Sequence, residues 1–326
     1  ERLIEDSLNE LSSKRGEELK KKLRVKFKNE EGVDEGGVQK EWFQLLVAEV
    51  FDPKYGLMTF DDDARTHWFS RTSHELLHFN LLGNIVGMAI YNGVILDLHL
   101  PAVVYKRLLG DAYDDDDLRD VDPALARGFE QLLAYDGDDL EAVYDRTFVV
   151  ERDEFGATVR TELKPGGADV ALTKANRAEY VRLYTRYVLV DSVSEQWAAF
   201  KRGFDMVCNG AALHLFRWEE LRQLVCGSPE LDFDALERNA TYENGYSASH
   251  ADICRFWRVV HALDDEQKRR LLHFTTGSDR APIGGLGKLH FVIVRHGDDV
   301  TRLPTAHTCF NHLLLPSGYT SDEQMR

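Results

Sequence analysis

The stretch CGSPELDF, Cys226 to Phe233, decides the architecture. Pro229 discourages a helix running through it. Gly227 permits backbone angles closed to other residues, and Ser228 adds no bulk. Residues 1–227 carry mostly helical patterning, whereas residues 228–326 mix helix and strand signals. The stretch therefore reads as a hinge between two parts. On that reading, prolines placed through it leave stability alone and restrict only its motion.

Downstream of the hinge, Ile253, Phe256, Trp257 and Val260 recur at i, i+3, i+4 and i+7, one apolar helix face. KLHFVIVRH, Lys288 to His296, reads as a strand. Upstream, residues 4–23 suggest an amphipathic helix broken near Gly16, and RVKF, Arg24 to Phe27, alternates like a short strand. A glycine-rich loop, residues 32–37, precedes a helix from Val38 to Phe51. Residues 74–92, 101–109 and 124–135 are helical in pattern, as is a long run from Lys174 to Val207, with further helix from Leu213 to Cys226. Between them, GDAYDDDDLRDVDP (Gly110 to Pro123) reads as a solvated acidic linker; its carboxylates lack the spacing of a calcium loop. TFVVERDEFGATVRTEL (Thr147 to Leu163) reads as a hairpin turning at Gly156. Residues 102–185 look like an insertion within the first part.

The chain of 326 residues is long enough for about two domains and for a core that needs no disulfides. Lys and Arg number 40 against 56 Asp and Glu, a net charge of −16. That balance opposes a broad nucleic-acid or anionic-membrane surface. The four cysteines, Cys208, Cys226, Cys254 and Cys309, form no C-x-x-C pair, so free thiols in a reducing compartment are expected. The first three sit in helical, apolar contexts. Glu1 to Lys22 is too polar for a signal peptide. Asn80, Asn84, Asn92 and Asp97 interrupt the most apolar run, Leu76 to Val104, which argues against a membrane span. The expected location is cytoplasmic, nuclear or both.

The densest chemistry lies in RLPTAHTCFNHLLLP, Arg302 to Pro316. Cys309 sits among His307, Thr308, Asn311 and His312, between Pro304 and Pro316. A thiol whose thiolate fraction is raised by such neighbours acts as a nucleophile. A buried structural cysteine, a cysteine protease and a zinc site using His307, Cys309 and His312 compete on spacing alone; zinc lacks a fourth ligand. FTTGSDRAPIGGLGKL (Phe274 to Leu289) is rich in Gly and Thr but fails the phosphate-loop pattern twice. In the loop of residues 32–37, Asp34 and Glu35, with Glu30, Glu31 and Glu41 nearby, either cap the following helix or face a partner's amine.

In chain order, EEGVDEGGVQKEWF, GNIVGMAIYNGVILDLHLP, FKRGFDMV, HFTTGSDRAPIGGLGKL and RLPTAHTCFNHLLLP together resemble the catalytic domain of HECT-type E3 ubiquitin ligases. FTTGSDRAPIGGLGKL is especially similar to the Angelman-syndrome ligase branch of that family. The resemblance implies an α+β, bilobal fold. A mainly helical N-lobe, 1–227, would carry an inserted small subdomain (about 102–185) that binds the ubiquitin-conjugating enzyme. A flexible hinge at Gly227, Ser228 and Pro229 would lead to a smaller α/β C-lobe, 228–326. It makes Cys309 the thioester-forming nucleophile, with His307 and Thr308 just before it and Thr276, Gly277 and Arg280 in the loop packed beside it. Leu125, Phe129, Leu132, Tyr135, Tyr180 and Tyr184 match the groove for the conjugating enzyme. Glu30, Asp34, Glu41 and Asp97 match acidic N-lobe positions, of which Asp97 and Glu30 are candidate general bases for the incoming amine.

The implied partners are ubiquitin, its conjugating enzyme and protein substrates, with no nucleic acid and no membrane. No metal or organic cofactor is expected, because thioester exchange between two thiols is nearly neutral in energy and rests on proximity and a deprotonated thiol. Two departures stand out. The chain stops at SDEQMR, short of the family's terminal tail, and Ser317-Gly318 places one extra residue before Tyr319. The shortened end keeps a rival reading open, a module that binds ubiquitin or its conjugating enzyme without ligating.

Overall fold

The computed structural model describes residues 2–14, 16–27, 37–154, 156–308 and 310–325. Glu30, Asp34, Glu35 and Cys309, together with the rest of the loop at residues 32–36, lie outside the described residues. The chain forms two compact units.

The first unit comprises residues 1–13, 49–84 and 99–219. Helix Ser194–Val207 packs against the Leu76–Asn92 helix through two glycines. A Cβ on Gly83 would lie 2.0 Å from the Phe200 carbonyl oxygen, and one on Gly203 1.9 Å from that of Asn80. Only glycine lets the two backbones come this close. Phe69, Phe79, Phe200 and Phe204 are fully buried around this contact, with Phe69 5.5 Å from Phe200 and 5.8 Å from Phe79, ring centre to ring centre. The expected long helix from Lys174 to Val207 is two helices, Arg177–Leu189 and Ser194–Val207. The break falls where the β-branched Val190 and Val193 flank Asp191 and Ser192, all poor helix formers.

Two hairpins complete this unit. Strands β1 (Met58–Asp61) and β2 (Thr66–Phe69) were not legible in the sequence, whereas β3 (Val149–Glu154) and β4 (Ala157–Glu162) pair around Gly156 as anticipated. The acidic stretch is solvated at Asp111, Asp114, Asp115, Asp116 and Asp120, as expected, but it is more than a linker. It contains the short helix Asp116–Arg119, and the Asp117 side chain, 2% exposed, accepts a hydrogen bond from Lys106 Nζ at 2.8 Å. Asp122 then caps helix Pro123–Ala134, its Oδ1 accepting from Leu125 N at 2.9 Å with Pro123 at the first position.

The second unit comprises residues 14–48, 85–98 and 220–326. Its sheet runs β5-β6-β8-β7, from β5 (Thr241–Glu243), β6 (Val292–Arg295), β7 (Thr305–His307) and β8 (His312–Leu315). β5, β6 and β8 are parallel, and β7 is antiparallel to β8. Ile253, Phe256, Trp257 and Val260 of helix Ala251–His261 are all buried, as their spacing predicts, and share a core with Leu272, Phe291, Ile293 and Leu313. Helix Asp265–Thr276 opens on a capping box between Asp264 and Gln267 and closes on Gly277 at φ +79°. Arg24–Phe27 forms no strand. Arg24 and Lys26 are exposed while Val25 and Phe27 are half-buried, so the alternation is real, but it pairs with no strand among the described residues. Among the described residues no helix is long and apolar enough to cross a membrane.

Candidate active site at a hairpin tip

The Arg302–Pro316 stretch folds into the β7–β8 hairpin, with His307 opposite His312. Residues 308–311 connect the strands. Phe310 N donates to His307 O at 3.0 Å, and Asn311 adopts a left-handed conformation (φ +56°), which asparagine tolerates better than most residues. Asn311 also ties the tip to the sheet. Its carbonyl accepts from Val292 N at 3.1 Å, and its Nδ2 donates to His290 O at 3.2 Å. His307, Thr308 and Phe310 are all exposed.

Beside the tip, Thr276 ends its helix buried, its hydroxyl within 2.8 Å of Leu272 O and 2.9 Å of Ser278 O. Helix Gly37–Val50 adds two side chains one turn apart. Gln44 Nε2 donates to Gly277 O at 2.5 Å, and Lys40 Nζ donates to Asn311 Oδ1 at 3.3 Å. A cleft of about 540 Å³, counting the solvent at its mouth, lies among Lys40, Gln44, Thr276, Ser278, Arg280 and Asn311. The structure thus brings Thr276 and Arg280 to one cleft with Asn311. Asp97 is exposed and does not line it, and Glu41 is exposed on the Gly37–Val50 helix. Sequence reading passed over Lys40 and Gln44, although their i, i+4 spacing already put them on one helix face.

The six expected groove residues gather on two helices of the first unit. Leu125, Phe129 and Leu132 follow one another around Pro123–Ala134, Tyr135 caps it, and Tyr180 and Tyr184 lie on Arg177–Leu189. The Phe129 ring is 5.2 Å from Tyr184 and 6.2 Å from Tyr180. Phe129, Leu132 and Tyr180 are buried, while Leu125, Tyr135 and Tyr184 are half-buried. Burial pushes the Tyr180 hydroxyl up to about 12 and raises that of Tyr184. Tyr135 is raised chiefly by its hydrogen bond to Asp139.

The 227–229 stretch is held by hydrogen bonds. Gly227 (φ +69°) caps helix Trp218–Cys226, its N–H reaching Gln223 O at 2.8 Å. Ser228 and Ala281 exchange two backbone bonds of 2.8 and 2.9 Å, and Arg269 Nη2 donates to Pro229 O at 2.8 Å. Proline at 227 cannot take that positive φ, and proline at 228 removes a donor. The expectation that prolines there leave stability untouched is therefore corrected. Of the other cysteines, Cys226 is buried, Cys208 half-buried and Cys254 exposed, so the apolar setting expected of all three fails for Cys254.

Residues 44–326 match the HECT-domain (ubiquitin-transferase) family. The chain belongs to the HECT family. A probable E3 ubiquitin-protein ligase HECTD2 of Mus musculus is 44% identical over 99% of this chain and 43% of its own length. A probable E3 ubiquitin-protein ligase HERC4 of Homo sapiens is 42% identical over all of this chain and 31% of its own. A probable E3 ubiquitin-protein ligase HUL4 of Eremothecium gossypii is 36% identical over 98% of this chain and 40% of its own. The chain spans less than half the length of these relatives. This HECT domain has the α+β fold that the resemblance implied. A family of ubiquitin transferases, with relatives named as ligases, supports the catalytic reading and not the binding-only rival.

Proposed function

We propose that this HECT domain carries ubiquitin as a thioester on Cys309 and passes it to a lysine of a substrate protein. The Cys309 thiolate attacks the carbonyl of ubiquitin's C-terminal thioester on the conjugating enzyme, and the enzyme's thiolate leaves. A lysine amine then attacks the new thioester, loses a proton to a base, and releases the Cys309 thiolate as the isopeptide bond forms. The observation that carries this reading is the β7–β8 hairpin. Thr308 and Phe310, the neighbours of Cys309 in the sequence, are exposed, and Asn311 just beyond them is tied to the sheet, which supports a reactive group carried by this hairpin. His307 and Thr308 flank it, and Thr276 supports the neighbouring loop. Asp97 and Glu30 are the proposed bases for the amine; the exposure of Asp97 suits that role.

The conjugating enzyme docks, in this proposal, on the aromatic cluster of Phe129, Tyr180 and Tyr184 with Leu125, Leu132 and Tyr135. The lobes are 1–227 and 228–326, jointed at Gly227, Ser228 and Pro229, and the docking subdomain spans about 102–185. Within the family we place the chain near the Angelman-syndrome branch on FTTGSDRAPIGGLGKL alone, and in the cytoplasm or nucleus. A charging assay tests the core of the proposal. With activating enzyme, conjugating enzyme, ATP and ubiquitin, a thiol-sensitive band forms on the wild type and on Cys208→Ala and Cys254→Ala, but not on Cys309→Ala. A band that persists in Cys309→Ala refutes the assignment.

A further inference from the structure

The cleft beside the hairpin tip has a charge opposite to that of the chain. The protein carries 56 acidic and 40 basic residues, yet among the described residues Lys40 and Arg280 line this cleft and no carboxylate does. Arg280 is half-buried, and among the described residues its guanidinium meets no hydrogen-bond acceptor or ion-pair partner. A guanidinium is a rigid fork of five donors that matches a carboxylate, and a half-buried one left unmatched forgoes most of its hydration. Gln44, Thr276 and Ser278 add amide and hydroxyl groups to the wall, while Val94 and Ile95 give it an apolar side that strengthens charge pairing. The space in the cleft itself is about 110 Å³, which suits a single side chain and not a folded partner.

We propose that this cleft is an acceptor subsite that receives an acidic side chain lying close in sequence to the lysine being modified. The inference rests on Cys309 as the thioester site and names the substrate class that site prefers. Asn311, two residues after Cys309, is part of the cleft wall, so a peptide whose lysine reaches the tip passes the cleft. An extended chain advances about 3.3 Å per residue, which puts a residue one to three positions from the lysine within reach of Arg280 and Lys40. A carboxylate at a chain terminus offers the same chemistry; the proposal commits to the side chain.

The test uses the whole domain charged with ubiquitin, separated from the conjugating enzyme, and given peptides with one lysine. The peptides are acetylated and amidated and carry Glu or Gln one to three residues from the lysine; a further Gln peptide keeps a free C-terminal carboxylate. Single-turnover discharge should favour Glu over Gln about three- to tenfold at low salt. The preference should fade toward unity at about 0.5 M salt, where screening reaches within a few ångströms. Arg280→Glu should reverse it in favour of Arg-flanked peptides. Equal discharge of Glu and Gln peptides by the wild type, a salt-independent ratio, or an unchanged ratio in Arg280→Glu overturns the subsite. Preference for the free C-terminus alone overturns the side-chain assignment. Failure of the wild type to form a thioester refutes the Cys309 reading itself, before any peptide is added.

Discussion

Replacing Gly227 by alanine separates two costs that the structure makes additive. The backbone at Gly227 has φ +69°, a region that costs a residue with a Cβ about 1–2 kcal/mol. The added Cβ would also lie 2.6 Å from the Ala281 carbonyl oxygen, backbone that cannot rotate aside, and 3.2 Å from Ile95 Cδ1. Relieving such an overlap costs a further ~1–3 kcal/mol. Gly297 is the control. Its φ of +77° carries the first cost, but nothing lies within 4 Å of its Cβ position. Gly297→Ala should therefore lose only about 1–2 kcal/mol and Gly227→Ala about 2–5 kcal/mol. At about 2–4 °C per kcal/mol for a domain of this size, the gap in melting temperature should be several degrees. Gly227→Asn, which eases the φ cost but not the clash, should stay close to Gly227→Ala. Urea and thermal melts followed by tryptophan fluorescence measure all three. Equal losses at 227 and 297 would show that the joint does not sit against Ala281, and the tie between 228 and 281 would fall with it.

Three other outcomes follow from the geometry. Tyr184→Ala, at a half-buried ring, should weaken binding of the conjugating enzyme by about 2 kcal/mol with little change in melting temperature, whereas Phe129→Ala, at a buried ring, should lower both; titration calorimetry beside a melt decides, and loss of stability without loss of affinity in Tyr184→Ala counts against the groove. Gly203→Ala should leave little soluble, folded protein, because its Cβ would sit 1.9 Å from a backbone oxygen; a native-like melt would contradict the helix contact. Burial opposes the charged forms of both Lys106 and Asp114, but the Asp117 and Asp114 carboxylates hold Lys106 above its ordinary value, while Lys106 and the backbone N–H groups of Asp117 and Asp116 hold Asp114 below its own. The pair's contribution is then full between about pH 4 and pH 10, fading as acid protonates Asp114 and as alkali discharges Lys106, so the stability gap between wild type and Lys106→Met should narrow below about pH 4 and fail the argument if it widens.

What the sequence disclosed was local and periodic. The buried face of helix Ala251–His261 and the hairpin at Gly156 follow from spacing within one segment, and the structure has both. What it concealed depends on residues far apart in the chain. Arg24–Phe27 alternates like a strand but joins no sheet among the described residues, and nothing inside four residues could reveal that. The burial of Asp117 within the acidic stretch was hidden because its partner Lys106 belongs to the preceding helix. The hairpin of β1 and β2 escaped because its four-residue strands are too short for a period to register.

The candidate site divides along the same line. The H-T-C-F-N run is contiguous, so its resemblance to the family was legible as the proposed place of the nucleophile. The cleft beside it is assembled from Lys40, Arg280 and Asn311, which no window of sequence contains together. Lys40, which drew no notice in the sequence, is placed at the tip by its hydrogen bond to Asn311. The joint shows the converse. Gly227, Ser228 and Pro229 read as freedom because each residue alone loosens a chain, but the backbone bonds from Ser228 to Ala281 make the same three residues a fixed point. A swing that carried Ser228 away from Ala281 would have to break that two-bond bridge. A backbone hydrogen bond is typically worth only about 1 kcal/mol net, so the bridge sets a preferred geometry without forbidding another.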